Sequence, residues 1–242
     1  MRHYLLALLL LVSAPLLAAP DYAREKKRAD EITPGIVVGD PIYLEQTNQH
    51  KFLAIYTETP GARMGLIVVH GMGIHPDWGM VGTLRSQLAE QGYTTLSIQM
   101  PILSVDAKVE DYKPTYADAV ERLQRAVDYL KAKGYQKIAI VSHSLGSRMS
   151  YAFMANNPAD VVAWAALGMV DVQSYANIKV PVLDLYGEKD LPPVLSGRKK
   201  RGASLKSKPG SKQMKIAGAD HFFANHEEAM VKAVKSFLDS VK

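Results

Sequence analysis

Short, almost wholly apolar runs such as Leu66-Ile67-Val68-Val69 and Ile138-Ala139-Ile140-Val141 recur along the chain and alternate with longer amphipathic stretches. A strand without polar alternation must be covered on both faces, which is the situation inside a parallel sheet flanked by helices. The runs fall at Phe52–Thr57, Gly65–Val69, Tyr93–Gln99, Ile138–Val141, Val161–Leu167, Val180–Tyr186 and Gln213–Ala217. Helical periodicity occupies most intervals, near Met80–Gln91, Tyr116–Lys133, Leu145–Asn156, Pro192–Leu205 and Glu227–Val241. Gly92 and Gly134 stand just past two of these stretches, where a left-handed residue ends a helix. The predicted class is α/β, a single domain over residues 35–242 with a mostly parallel sheet and helices on both faces. Only Met100–Pro114 is long and irregular.

The N-terminus reads differently. Arg2 precedes an apolar run, Leu5 to Leu17, that closes on Ala18-Ala19-Pro20, in the order of a signal peptide over residues 1–19. As an uncleaved helix, Tyr4–Leu17 would reach only about 21 Å against a hydrocarbon core of about 30 Å. The expectation is therefore a periplasmic or secreted protein without a stable membrane anchor. The chain has no Cys, so it has neither a disulfide framework nor a thiol for lipid attachment or metal binding. Residues 20–34 lack apolar periodicity and are expected to form a surface leader.

In an open parallel sheet, sites gather beyond the carboxyl ends of the strands. Four such ends carry chemistry here: His70-Gly71-Met72-Gly73, Ser142-His143-Ser144-Leu145-Gly146, Gly187-Glu188-Lys189-Asp190 and Gly218-Ala219-Asp220-His221. A serine hydroxyl is a poor nucleophile at neutral pH and needs a His to take its proton and a carboxylate to fix that imidazole. Ser144, His221 and Asp190 supply those three groups in the chain order Ser, Asp, His. The Ser144 turn needs small neighbours, which Ser142 and Gly146 are, and the helix start behind it makes the Leu145 N–H an oxyanion donor. The glycine-flanked Met72 N–H is the expected second donor, with Gly71 or Gly73 as alternatives and His70 as a buttress of the loop.

Alternatives stay open at this stage. A Ser in a turn of small residues is equally the pattern of a helix N-cap. Asp171 follows the Val161–Leu167 run and competes with Asp190 for the acid role, and His226 competes with His221 for the base. Asp220 and Asp184 read as structural, His75 as a loop residue, and His143 as pointing away from the pocket.

With these residues in place, the mature chain resembles an α/β-hydrolase, and His70–Trp78 together with Leu96–Pro101 resembles the poorly characterised DUF3530 branch. The resemblance implies a Ser-His-Asp hydrolase without naming a substrate. It departs from the usual Gly-x-Ser-x-Gly pattern at Ser142. A serine nucleophile points to acyl transfer through an acyl-enzyme, with ester hydrolysis as the default and a peptidase, an acyltransferase or a non-catalytic envelope-binding protein as the alternatives. Only about a dozen residues separate Leu167 from Val180, so a lid between the sixth and seventh strands is minimal or absent. Met100–Pro114, with Leu103, Val105 and Tyr112, is left to overhang the pocket or to pack into the core.

The formal net charge is +5, and Arg198, Lys199, Lys200, Arg201, Lys206, Lys208, Lys212 and Lys215 cluster without an acid among them. That cluster is either a solvated face or an attractor for an anionic part of a small-molecule ester. Nucleic acid is not expected, because the run has no interleaved aromatics. No cofactor and no metal are expected, and the protein reads as a monomer.

Overall fold

A computed structural model describes residues 19–241. The leader expected over residues 1–19 lies outside them apart from Ala19. Eight strands form one sheet: β1 (Asp40–Glu45), β2 (Lys51–Thr57), β3 (Gly65–Val69), β4 (Thr94–Ile98), β5 (Ile138–His143), β6 (Val161–Leu167), β7 (Val182–Gly187) and β8 (Lys212–Ile216), in spatial order β1-β2-β4-β3-β5-β6-β7-β8. β1 pairs with β2, and β2 with β4, in antiparallel fashion; the remaining neighbours are parallel.

The apolar runs behave as a doubly covered sheet requires. Alternate residues of one strand enter opposite cores, Ile67 and Val69 on one face and Leu66 and Val68 on the other. On the first face lie α3 (Tyr116–Ala132) and α4 (Leu145–Met154), through Leu123, Val127, Met149 and Phe153. On the second lie α2 (Gly79–Glu90) and α6 (Glu227–Asp239), through Leu84, Leu88, Val234 and Phe237. α5 (Pro192–Leu205) joins β7 to β8, starting on Pro192 where a missing N–H costs nothing. Gly92 and Gly134 take φ of 96° and 92° just beyond α2 and α3, the left-handed conformation that stops a helix.

Two elements escape the periodicity. β1 is an edge strand that buries only Leu44. Residues 20–34 are more than a surface leader: they contain α1 (Tyr22–Ile32), capped by Asp21, whose side chain accepts the Arg24 N–H. The residues α1 buries are Glu25 and Ala29, while Lys26 and Asp30 pair outside at 2.6 Å. A helix docked by a carboxylate and a methyl group carries no apolar stripe to detect. Glu25 is instead bound by Arg122 at 3.0 Å and by His50 at 3.0 Å. No described helix is long and apolar enough to cross a membrane.

Candidate active site

Ser144 occupies the junction between β5 and α4 with φ 55° and ψ −124°, a conformation an L-residue holds only under constraint. Its N–H donates to Leu167 O of β6 at 2.9 Å, and Ser147 Oγ donates to Ser142 O at 2.8 Å. A Cβ on Gly146 would come within 2.1 Å of His70 O, so no larger residue fits there. Ser142, where the usual pattern has Gly, is buried with its hydroxyl fully engaged, accepting the Trp164 indole N–H at 2.8 Å and donating to Ser147 Oγ at 3.1 Å. The departure is thus accommodated by a hydrogen bond that glycine would not make.

His221 follows the turn after β8, and its Nε2 stands 2.8 Å from Ser144 Oγ. Its Nδ1 stands 2.6 Å from Asp190 Oδ1. Asp190, on the turn after β7, is fixed in turn by the Leu191 N–H on Oδ1 at 2.7 Å and the Gly187 N–H on Oδ2 at 3.2 Å. A carboxylate accepts only, so Nδ1 carries the imidazole proton and Nε2 is left to accept from the serine hydroxyl. Gly168 makes room for this ring: at φ 56°, its Cβ would meet His221 Cε1 at 2.9 Å.

The same pocket, of about 340 Å³, is lined by Ser144, His221, Met72 and Leu145. Among the described residues, neither the Met72 N–H nor the Leu145 N–H has a hydrogen-bond partner within the protein. His70 is buried beside them, donating from Nδ1 to Gly71 O at 2.7 Å and accepting the Met100 N–H on Nε2 at 2.9 Å. The pocket walls are apolar and aromatic, with Ile74, Val170, Leu191 and an edge-to-face pair, Trp78 and Phe222, at 5.3 Å.

The rivals are placed elsewhere. Asp171 also lines the pocket, but it is half exposed and pairs with Arg148 at 2.9 Å. His226 stands at the N-cap position of α6 without a side-chain capping bond, its Nδ1 on Ala224 O. Asp220 holds its own turn through the Phe222 and Ala224 N–H groups, and Asp184 is buried against Arg201. Of the irregular segment, Leu103 and Tyr112 are core and Val105 is exposed, while Val109 and Glu110 reach the pocket rim. None of the residues Arg198 to Lys215 lines the pocket. Arg201 is fully buried and Lys215 pairs with Glu188, so the cluster is smaller in space than in the chain. Among the described residues no three His, Asp or Glu side chains converge as metal ligands.

His143 corrects the sequence reading. It does not point away: it lines the pocket, its ring centroid 4.7 Å from that of His221, and its Nε2 donates to His221 O at 2.9 Å. Alternation along β5 puts it on the same face as Ala139 and Val141, the face covered by α2 and α6, and the turn after β8 brings His221 and Phe222 over that side. Sequence reasoning also misses Trp78, Phe222 and Glu110 as lining residues, since the first two lie on turns and the third in a short 3-10 turn, whose paths no periodicity gives.

Burial lowers the His70 pKa to about 3 and that of His143 to about 4, from an ordinary 6.5. Both rings are therefore neutral in the folded protein, whereas the unfolded chain takes up their protons near 6.5. The unfolded state then binds more protons below that pH, so stability is flat above about 6.5 and falls on acidification toward about 4. Thermal unfolding followed across this range should show the decline; an unchanged midpoint down to about pH 4 would contradict the assignment.

Residues 53–239 match the dienelactone hydrolase family over well more than half of the chain. The chain belongs to the dienelactone hydrolase family. A search of curated protein sequences returns no match. Among solved structures it is similar to a dienelactone hydrolase from Anabaena variabilis, at 18% identity and a TM-score of 0.68, covering 83% of this chain and 96% of that one. It is also similar to Est1E from Butyrivibrio proteoclasticus, at 17% identity and TM-score 0.65, covering 83% and 98%. A third relative is XC6422 from Xanthomonas campestris, an α/β serine hydrolase without a lid, at 13% identity and TM-score 0.67, covering 84% and 95%. The fold is that of lidless α/β-hydrolases, and membership of this family makes the chain a hydrolase-family protein. The narrower resemblance to DUF3530, drawn from His70–Trp78 with Leu96–Pro101, is not shown by this match.

Proposed function

We propose that this dienelactone hydrolase family member is an exported serine carboxylesterase. The observation that carries the reading is the continuous hydrogen-bonded row from Ser144 Oγ to His221 Nε2 at 2.8 Å and from His221 Nδ1 to Asp190 Oδ1 at 2.6 Å. His221 takes the Ser144 proton as Oγ attacks the ester carbonyl, and Asp190 stabilises the imidazolium that forms. The Leu145 and Met72 N–H groups bind the developing oxyanion. His221 then returns the proton to the departing alcohol, leaving Ser144 acylated, and activates water for the second half-reaction.

The substrate is a small or medium ester with an apolar or aryl acyl group, because the walls are apolar and include Trp78 and Phe222. Est1E has also been described with ferulic acid bound, an aryl acid of this kind. Export rests on the leader, Arg2 with Leu5–Leu17 and Ala18-Ala19.

One experiment tests both halves. The full chain is expressed in a bacterial host and the periplasmic fraction is treated with a fluorophosphonate. Mass spectrometry should find a protein lacking residues 1–19 and carrying one adduct on Ser144, absent in Ser144→Ala. The same protein should cleave esters from acetyl to aryl far faster than matched amides. A folded protein that neither labels nor cleaves is a binding protein on a hydrolase fold, and faster amide cleavage makes it a peptidase.

A further inference from the structure

The loop that carries the Met72 N–H has little packing of its own. Met72 is exposed, and it is flanked by Gly71 and by Gly73 at φ 70°. An oxyanion donor contributes to rate only if it is aimed before the charge develops, so something outside this loop must hold it. The residues that do so lead back to α1, which precedes the segment matched to the dienelactone hydrolase family.

Arg24 of α1 reaches across with both terminal guanidinium nitrogens, Nη1 donating to Leu103 O and Nη2 to Gly73 O at 3.4 Å. Its neighbour Glu25 is buried, accepts the Ile102 N–H at 3.2 Å and pairs with Arg122, which donates to Gln99 O at 3.1 Å. The Asp21 N–H donates to Ile102 O at 2.7 Å. Residues 99–103 are thereby fixed, and from this segment the Gln99 side chain and the Met100 N–H both reach His70 Nε2 at 2.9 Å. His70 Nδ1 in turn holds Gly71 O at 2.7 Å. That oxygen and the Met72 N–H belong to one planar trans peptide and point in opposite directions, so anchoring the oxygen aims the N–H.

We propose that α1 is a clasp that positions the oxyanion hole, with Arg24 as its positioning residue. The inference rests on the reading of Met72 N–H as an oxyanion donor. Arg24 grips the loop at Gly73 O, on one side of that N–H, while His70, braced through residues 99–103, grips Gly71 O on the other. Arg24 does not touch the substrate; it acts through the loop.

The test compares Arg24→Ala and Arg24→Lys with the wild type in the full chain, by two independent readouts. Hydrogen exchange of the Gly71–Gly73 amides should speed up about 10-fold or more in Arg24→Ala. The kcat per fluorophosphonate-titrated site should fall about 10-fold with KM little changed, since the donor is used mainly in the transition state. Arg24→Lys should restore part of the loss, and guanidinium ion added to Arg24→Ala should restore more. Unchanged exchange overturns the clasp, and faster exchange with unchanged kcat per site overturns its positioning role. If Arg24→Ala does not fold, Arg24→Lys carries both readouts. A wild type that never labels or hydrolyses sinks the esterase reading instead, and the exchange readout still decides whether Arg24 holds the loop.

Discussion

Ser144→Ala and His221→Ala will each lower kcat/KM on an aryl ester by roughly 10⁴ to 10⁶, and the double variant will be no worse than either alone. The non-additivity follows from geometry. At 2.8 Å the two side chains share one proton, so losing either partner leaves the other with nothing to do. Asp190→Asn should cost about 10⁴, because an amide on Nδ1 can hold the ring in the wrong tautomer, whereas Asp171→Asn should change the rate less than about 3-fold. Initial rates on purified, folded variants check the series. Substantial activity in His221→Ala, or a larger loss in Asp171→Asn than in Asp190→Asn, would overturn the assignment of roles.

The second large effect concerns stability. Arg201→Ala should destabilise the protein by about 3–5 kcal/mol, lowering the thermal midpoint by about 10 °C or more. Asp184 of β7 and Arg201 of α5 are both fully buried, with Arg201 Nε bridging the two carboxylate oxygens at 3.2 and 3.0 Å. Tyr175 donates its hydroxyl to the same carboxylate at 3.0 Å, its own pKa pushed well up by burial and by the charge of Asp184, and the Gln213 amide donates at 2.7 Å. Without Arg201, these two neutral donors face an uncompensated buried charge. The double variant Asp184→Asn with Arg201→Met should therefore lose less than Arg201→Ala alone. Denaturant unfolding of the three variants decides it, and a double variant less stable than the single would contradict the argument.

The sheet was legible because its strands announce themselves: β3 and the first four residues of β5 are unbroken apolar runs, and the residues beyond those runs were the ones worth inspecting. Ser144, His221 and Asp190 could be proposed together since each closes a strand. What stayed hidden obeys a different physics. α1 docks through Glu25, and a buried carboxylate looks like a solvated one in a sequence. His143 meets the pocket because the turn after β8 crosses its face of the sheet, and the basic cluster shrank because Arg201 finds its partner in β7, both beyond the reach of any local pattern.

The junction that carries Ser144 has one more implication, in time rather than space. Its positive φ is maintained by partners from β6: Leu167 O on the serine N–H and on Ser147 Oγ, and the Trp164 indole on Ser142. None of these is present until the chain has emerged past residue 167 and β6 has been laid alongside β5. Until then the junction is not held, and even afterwards the proposed activation of the serine waits for Asp190 and His221, which lie beyond β7 and β8. On the proposed reading, covalent capture at Ser144 Oγ therefore reports the completed fold and not a partial sheet.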